Sequence, residues 1–188
     1  MSEEEIIAVL SGLVNLSPAF ELKLRSLLIS EAYQPHQIID APGFQQHRMW
    51  MVVSGIIRRY YFDGNGKEIT ESFYTAQDLI FFWEGYLSQR TDHYLETLSI
   101  TRVYTLRYAD LAALQDFPET GELTRYFIGM QRKGELFRSR LLLQSATARY
   151  QLFRKANPVI FREVPLRLIA SYLNMTRENL SRLIGKDF

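Results

Sequence analysis

The chain has 188 residues, of which 47% are hydrophobic and 23% charged, and a net charge of +1. This length allows one domain or two small ones with a buried core. The absence of cysteine excludes disulfides, thiolate nucleophiles, and cysteine-ligated zinc or iron–sulfur sites. The longest apolar run, residues 79–83, is far below the roughly 18 residues of a membrane helix, and no signal peptide is visible. We therefore expect a cytoplasmic protein without a membrane partner.

The charge is distributed unevenly along the chain. Residues 131–188 hold 12 Lys and Arg against 4 Asp and Glu, a balance of +8, so residues 1–130 hold 10 against 17, a balance of −7. This asymmetry predicts an acidic module followed by a basic one that meets nucleic acid. The alternative is chance unevenness on a solvated surface.

Two helices are predicted at the start of the chain. Apolar residues recur at helical spacing over residues 6–14. Ser17 and Pro18 then supply an N-cap and a first helical residue for a second helix.

The region from about residue 33 to Tyr108 is predicted to form short antiparallel strands. It is rich in β-branched and aromatic residues and is punctuated by "APG", "SG" and "DGNG". The stretch "YYFDGNGKEIT" predicts a hairpin, because its glycines and asparagine tolerate the positive φ of a tight turn. No helices interrupt these strands, which favours a sandwich or barrel. A short helix is expected over residues 109–114.

A long helix is predicted at about residues 118–148. Its apolar and small residues are spaced alternately by four and three, which is a heptad pattern. This pattern predicts a parallel homodimer, and the alternative is a helix buried within its own chain. The predicted interface consists of Leu123, Phe127, Met130, Gly134, Phe137 and Leu141, with Gln144 and Ala148 continuing the pattern.

The last forty residues predict a separate helical unit. A helix should end at Asn157, before Pro158, and "VIFREV" should be extended. We place the domain boundary after residue 148, with a sensor and dimerisation domain at 1–148 and a DNA-binding domain at 149–188.

Two short helices joined by a tight turn are predicted after Pro165. Asn174 is suited to the left-handed conformation of the turn, and Thr176 to the N-cap of the second helix. This order is typical of a helix-turn-helix, although an incidental helical hairpin is the alternative.

If the pair reads DNA, the start of its second helix meets base edges in the major groove. Arg177 and Arg182 can bond to guanine, and Glu178 to cytosine. The hydroxyls of Thr176 and Ser181 can contact phosphate. The alternative for Glu178 and Arg182 is an exposed salt bridge.

The order of β module, long helix and "VPLRLIASYLNMTRENLSRLIGK" resembles the Crp/Fnr family of bacterial transcription regulators, especially its compact Bacteroidetes-type members. The resemblance covers nearly the whole chain and is most specific in residues 164–186. It implies an α+β fold: an antiparallel β-roll (a double-stranded β-helix, cyclic-nucleotide-binding-like), flanking helices, a long dimerisation helix and a C-terminal helix-turn-helix. It also implies double-stranded DNA, a second copy of the chain and RNA polymerase as partners.

The family's Arg-Glu-x-x-x-Arg recognition pattern falls on Arg177, Glu178 and Arg182, which favours a TGTGA-like half-site. Many relatives continue into a β-wing after this helix. The printed sequence ends soon after it, so contacts from a wing are not expected.

The resemblance also implies an effector pocket. Members that bind cyclic nucleotides carry a Gly-Glu pair and then an Arg-Ser/Thr pair. Here the first pair is reversed as Glu84-Gly85, the second falls early at Arg90-Thr91, and Asp92 would repel a phosphate. We therefore expect an unidentified small-molecule effector other than cAMP, and no cofactor is assigned. The candidate ligand-binding residues are Trp83, Glu84, Arg90 and Thr91.

No catalytic or metal site is predicted. The three histidines lie in different predicted strands or loops, and no nucleophile or phosphate loop accompanies the acidic residues. The leading hypothesis is therefore a dimeric DNA-binding regulator rather than an enzyme. The alternative is a stand-alone module that binds a cyclic nucleotide or another small ligand and does not bind DNA.

Overall fold

The computed structural model describes residues 3–186, which form eight α-helices, eight β-strands and one 3-10 helix, Tyr108–Leu114. The α-helices are α1 Glu3–Ser11, α2 Pro18–Leu27, α3 Trp83–Tyr86, α4 Pro118–Leu142, α5 Ala146–Ala156, α6 Pro158–Glu163, α7 Leu166–Tyr172 and α8 Arg177–Gly185. The strands are β1 Ile29–Tyr33, β2 Ile38–Asp40, β3 Arg48–Ser54, β4 Ile57–Phe62, β5 Glu68–Tyr74, β6 Leu79–Ile80, β7 Tyr94–Thr97 and β8 Thr101–Arg107. No helix within these residues combines the length and apolar composition needed to cross a membrane.

The strands form two antiparallel four-stranded sheets, ordered β1-β8-β3-β6 and β2-β7-β4-β5. The predicted hairpin is confirmed, with β4 and β5 paired from Ile57 opposite Tyr74 to Phe62 opposite Glu68. In its turn, Asp63 Oδ1 accepts hydrogen bonds from the backbone N–H groups of Asn65 and Lys67, both at 2.9 Å. Gly66 has a φ of +74°, which explains the glycine there.

The β-roll is held together by apolar side chains from both sheets. Val52 and Val103 of one sheet and Ile57 and Leu95 of the other are almost fully buried in one cluster. A second cluster packs α1, α2 and the first half of α4 onto the β-roll. The fold is thus the predicted α+β arrangement, a β-roll with flanking helices and one long helix.

Helix α4 is shorter than the predicted helix. It ends at Leu142, and Ser145 begins a new helix, because its Oγ accepts a hydrogen bond from the backbone N–H of Ala148 at 3.3 Å. The predicted continuation of the heptad pattern through Gln144 and Ala148 therefore lies outside α4.

Three residues of the predicted dimer interface are buried within their own chain. Leu123 and Phe127 are 5% and 6% exposed in the cluster with α1 and α2, and Leu141 is 2% exposed in a C-terminal cluster. Their assignment to an interface is therefore wrong, because side chains already buried have little surface left for a partner. The heptad pattern instead reflects the contacts of α4 with the β-roll and with the C-terminal helices. Met130, Gly134 and Phe137 line a cavity that is open to solvent, and Phe137 is 42% exposed.

Helices α5 to α8 pack around their own apolar cluster, centred on Phe153, Ile169 and Leu180. The prediction that residues 159–164 are extended is wrong. Pro158 begins α6, which covers most of that segment, because proline is preorganised for the first turn of a helix.

The C-terminal helices also contact the β-roll directly. Ser171 on α7 accepts a hydrogen bond from the backbone N–H of Thr70 at 2.9 Å and donates one to the carbonyl of Glu68 at 3.1 Å. Both partners lie on β5, the last strand of its sheet. Ser171 thereby satisfies backbone groups that an edge strand would otherwise leave unpaired.

Candidate functional site

The turn between α7 and α8 has the hydrogen bonds of a Schellman motif. Asn174 adopts the left-handed conformation, with a φ of +48°. Its N–H donates to the carbonyl of Ser171 at 3.1 Å, and the N–H of Met175 donates to the carbonyl of Ala170 at 3.0 Å. Arg149 on α5 donates from Nη2 to the carbonyl of Asn174 at 3.3 Å. Hydrogen bonds to α7 and from α5 therefore hold the turn in one conformation, and this conformation sets the direction of α8.

Helix α8 begins as the sequence predicts. Thr176 is its N-cap, and Oγ1 accepts a hydrogen bond from the backbone N–H of Asn179 at 3.1 Å. Leu180 is fully buried against α7 and holds the inner face of the helix. The outer face carries all five predicted DNA-contacting residues, and all five are exposed: Thr176, Arg177, Glu178, Ser181 and Arg182.

Arg182 is held on this outer face by a neighbour on its own helix. Its Nη2 donates to Oδ1 of Asn179 at 3.0 Å. Within residues 3–186, the alternative salt bridge between Arg182 and Glu178 is not formed. The charged groups of Arg182 and Glu178 are therefore not paired with each other.

The helical unit that carries α8 also holds several basic residues. Arg154 and Lys155 lie in the last turn of α5, Arg162 on α6 and Arg167 on α7. The side chains of Arg162 and Arg167 are 72% and 65% exposed, and each has a carboxylate partner, Glu163 at 2.8 Å and Glu68 at 3.6 Å.

A second candidate site is a cavity of about 480 Å³ where the β-roll, α4 and the C-terminal helices meet. The β-roll contributes polar and aromatic side chains from β4 and β5, together with His93, which directly precedes β7. Helix α4 contributes side chains from Phe127 to Leu142, and the C-terminal helical unit contributes Phe153, Asn157 and Tyr172. A ligand in this cavity would touch both halves of the molecule.

Four ionisable side chains meet on one wall of the cavity. Arg59, only 8% exposed, lies 3.2 Å from Glu71 and 3.2 Å from Glu84, and its Nη2 is 3.0 Å from Nδ1 of His93. His93 Nε2 in turn lies 3.2 Å from Glu71 Oε2. Because arginine can only donate, Nδ1 must accept, and the imidazole proton lies on Nε2, facing Glu71.

The pKa of Glu71 reflects this arrangement. Burial alone would raise the pKa of this carboxyl, but the hydrogen bond from His93 and the positive charge of Arg59 outweigh burial and lower the pKa below its usual value. Glu71 therefore stays ionised in the cavity wall.

Only one of the four predicted ligand-binding residues lines this cavity. Glu84 does so, at the start of α3, where Gly85 packs so closely on the Tyr108 ring that no Cβ would fit. Trp83 packs on Phe81 and Tyr86 instead.

The other two predicted residues are placed differently again. Arg90 is exposed beside Gln45, to which it is joined by an isolated β-bridge. Thr91 is buried at 3% exposure, and its Oγ1 accepts a hydrogen bond from the N–H of His93 at 3.2 Å. Trp83, Arg90 and Thr91 therefore do not line this cavity with Glu84, and their assignment as ligand-binding residues stays a prediction. Arg90 and Thr91 follow Glu84 in sequence, but the chain leaves the cavity after α3.

The sequence analysis missed Arg59, Glu71, His93 and Arg138. One signal was present: Arg58-Arg59 interrupts an otherwise apolar strand, which requires buried partners for both charges. Arg58 also has such partners, Glu68 at 2.6 Å and Glu96 at 2.5 Å.

The sequence matches no protein-family model and no curated protein. Several solved structures share its fold. FixK2 from Bradyrhizobium japonicum aligns with a TM-score of 0.71 at 17% identity, over 85% of this chain and 83% of that one. A regulator assigned to the Crp/Fnr family from Eubacterium rectale gives 0.71 at 15% identity, over 92% and 83%. The c-di-GMP-responsive global regulator CLP from Xanthomonas campestris gives 0.66 at 16%, over 90% and 91%. The chain therefore has the fold of Crp/Fnr transcription regulators.

Proposed function

We propose that this protein is a sequence-specific DNA-binding transcription regulator that acts as a homodimer. The observation that carries the proposal is the exposed outer face of α8, which presents Arg177, Glu178 and Arg182. The start of this helix is capped by Thr176, and the turn before it is held in one conformation at Asn174. The N-terminal residues of such a second helix meet base edges when it enters the major groove. The shared fold supports this function, which also implies a cytoplasmic protein.

The dimer interface is proposed on the outer face of α4 rather than on the predicted residues. Tyr126 and Leu136 on this face are 39% and 45% exposed, and Leu143, directly after the end of α4, is 84% exposed. They recur at heptad spacing with Gly129, Lys133 and Arg140 between them. Gly129 has open space where a Cβ would stand, so a second helix can approach closely there. A second copy of α4 packed on this face would bury the exposed apolar groups.

An effector is proposed to bind in the cavity beside α4. Because the cavity is lined by β4 and β5, by α4 and by Tyr172 of α7, an occupant would contact every part that sets the position of α8. Cyclic AMP is disfavoured there, since the buried Arg59 is already paired with two carboxylates and cannot serve a phosphate without breaking those pairs.

The DNA-binding function can be tested without knowing the operator. The full chain is mixed with sheared genomic DNA, and the retained fragments are sequenced at about 50 mM and about 200 mM salt. We expect retained fragments to share one motif and their retention to fall by more than about tenfold at the higher salt, because binding releases counterions from phosphates.

The alternative function, a ligand-binding module that does not bind DNA, predicts a different result. Retention would then be absent at both salt concentrations, or equal for all fragments. Retention without a shared motif would contradict sequence-specific binding and would indicate only a non-specific attraction between DNA and basic residues.

A further inference from the structure

We infer that the cavity beside α4 binds an organic cation, an amine carried on an aromatic or apolar body, with its ammonium group at Glu84. This inference rests on the proposed function in treating the cavity as an effector site. It goes further by naming the ligand's charge and chemical class from the atoms of the cavity wall.

The cavity wall is net negative. Four carboxylates line it, against two guanidinium groups: Glu71, Asp78, Glu84 and Glu135 against Arg59 and Arg138. Burial raises the pKa of Asp78, yet without Asp78 the carboxylates still outnumber the guanidinium groups. An anionic ligand would add to this excess, whereas a cation would compensate it.

The two guanidinium groups differ in how the protein engages them. Arg59 is paired with Glu71 and Glu84, and its guanidinium carbon lies 4.2 Å from the centre of the Phe82 ring. Arg138 donates from Nη2 to the carbonyl of Thr70 at 3.1 Å, whereas its Nε is buried and makes no hydrogen bond within residues 3–186. A phosphate or carboxylate ligand at Arg59 would have to displace two carboxylates.

Glu84 has capacity left for a donor. Its Oε1 lies 3.2 Å from Arg59 Nη2. Its Oε2 is buried and accepts no hydrogen bond within residues 3–186. A buried carboxylate oxygen without a donor is costly, and an ammonium group supplies up to three donors together with a positive charge.

The other walls suit the body of such a ligand. Phe73, Phe81 and Phe137 line the cavity. Phe73 packs on Phe153 and Tyr172 of the DNA-binding unit. Aromatic walls bind an apolar or aromatic body and also attract a cation over their ring faces. A volume of about 480 Å³ is that of a small-molecule site.

The test compares three ligands of nearly the same shape on the full chain. The probes are 2-phenylethylamine, 2-phenylethanol and phenylacetate, which are cationic, neutral and anionic, with cAMP as a fourth. Binding is measured by calorimetric titration and by the rise in Tm, since a ligand that binds only the folded state raises Tm. We expect the amine to bind at least about tenfold more tightly than phenylacetate, a difference that corresponds to about 1.4 kcal/mol.

The matched variants are Glu84→Gln and Glu4→Gln. Glu84→Gln keeps the shape of the side chain but removes its charge, so amine affinity should fall at least about tenfold while the neutral alcohol is unaffected. Glu4 is exposed on α1, and Glu4→Gln should leave amine affinity unchanged.

The inference is overturned if phenylacetate or cAMP binds more tightly than the amine, or if the amine fails to bind at about 10 mM, the weakest affinity of interest. It is also overturned if Glu84→Gln binds the amine normally. Since these measurements use the protein alone, they are independent of DNA retention. DNA binding without amine binding removes this inference only, and amine binding without DNA binding removes the proposed function only.

Discussion

Arg182 is the residue whose proposed role is most specific. It is exposed on α8 and oriented by Asn179 at 3.0 Å. We expect Arg182→Ala to weaken binding to the selected DNA motif by about 1–3 kcal/mol and to lose discrimination at one base pair, because a bidentate contact to guanine is removed. The measurement is a binding titration on the motif and on its single-base variants.

The control for charge alone is Lys23→Ala. Lys23 is exposed on α2, and its removal takes away the same charge without touching α8. If Arg182→Ala and Lys23→Ala weaken binding equally on every DNA variant, Arg182 contributes only to the general electrostatic attraction and does not read a base.

Asp40 gives a prediction about pH. Burial raises its pKa to about 6, although a hydrogen bond from the Ala41 backbone and the charge of Arg59 oppose the rise. A carboxyl with a raised pKa favours the folded state below its unfolded pKa of about 4, and this stabilisation is lost as the pH rises to about 6. As the pH rises between these values, Asp40→Asn should therefore gain about 1 kcal/mol in free energy of unfolding relative to the wild type. This is less than the full change in the Asp40 pKa implies, because Asp40 is partly exposed.

The measurement is urea unfolding at pH 4 and at pH 7. Asp116→Asn is the control, since Asp116 is exposed before α4. A free energy of unfolding that changes with pH equally in the wild type and in Asp40→Asn would show that ionisation of Asp40 costs the fold nothing.

At the scale of elements, the helix-turn-helix depends on one left-handed residue. Asn174 has a φ of +48° at the end of α7. Asn174→Ala should cost about 1 kcal/mol in free energy of unfolding, because a Cβ without a compensating polar group disfavours this conformation. Asn174→Gly is the matched control and should be close to neutral, since glycine adopts positive φ freely. Urea unfolding of both variants decides, and equal losses would show that backbone conformation is not the cause.

The outer face of α4 carries the proposed dimer. Leu136 is 45% exposed at the middle of that face. Leu136→Lys should convert the protein to a monomer at micromolar concentration, because it removes an apolar contact and adds a third positive charge beside Lys133 and Arg140 on the symmetric face. Leu22→Lys, on an exposed leucine of α2, should leave the dimer intact. Light scattering after size exclusion measures both. A wild-type monomer, or an unchanged Leu136→Lys dimer, would contradict the interface.

Local chemistry made several elements predictable from the sequence. Ser17 and Thr176 cap helices where their side chains suggest it, and Asn174 adopts the turn conformation that asparagine tolerates. In each case the cause lies within four residues of the effect. The same reasoning could have ended α4 correctly, because Ser145 is a capping residue in the middle of the predicted helix.

Long-range contacts were beyond such reasoning. A heptad pattern shows that one face of α4 is apolar but not which surface buries it, so Leu123 and Phe127 were assigned to a partner instead of the chain's own core. Likewise, Arg59 lies on β4, Glu71 on β5 and His93 directly before β7, and the pairing of these three strands brings the side chains together. No residue spacing in the sequence indicates that they lie close to one another.

In the whole molecule, direct side-chain contacts join the β-roll, α4 and the C-terminal helices. Ser171 of α7 bonds to β5, and Arg138 of α4 bonds to the same strand at Thr70. Tyr172, next to Ser171, lines the cavity. A change in the cavity would therefore reach α7 through direct contacts, and α8 is joined to α7 by a rigid turn. These contacts are the physical basis for the effector regulation that we propose.

We propose that two copies of α8 read DNA together. Hydroxyl-radical footprinting of the full chain on a fragment recovered from the genomic selection is the decisive measurement. We expect two protected half-sites related by two-fold symmetry, with centres about 10 base pairs apart, because paired recognition helices enter successive major grooves on one side of the duplex. A single protected half-site, or protection without a fixed position on the fragment, would contradict it.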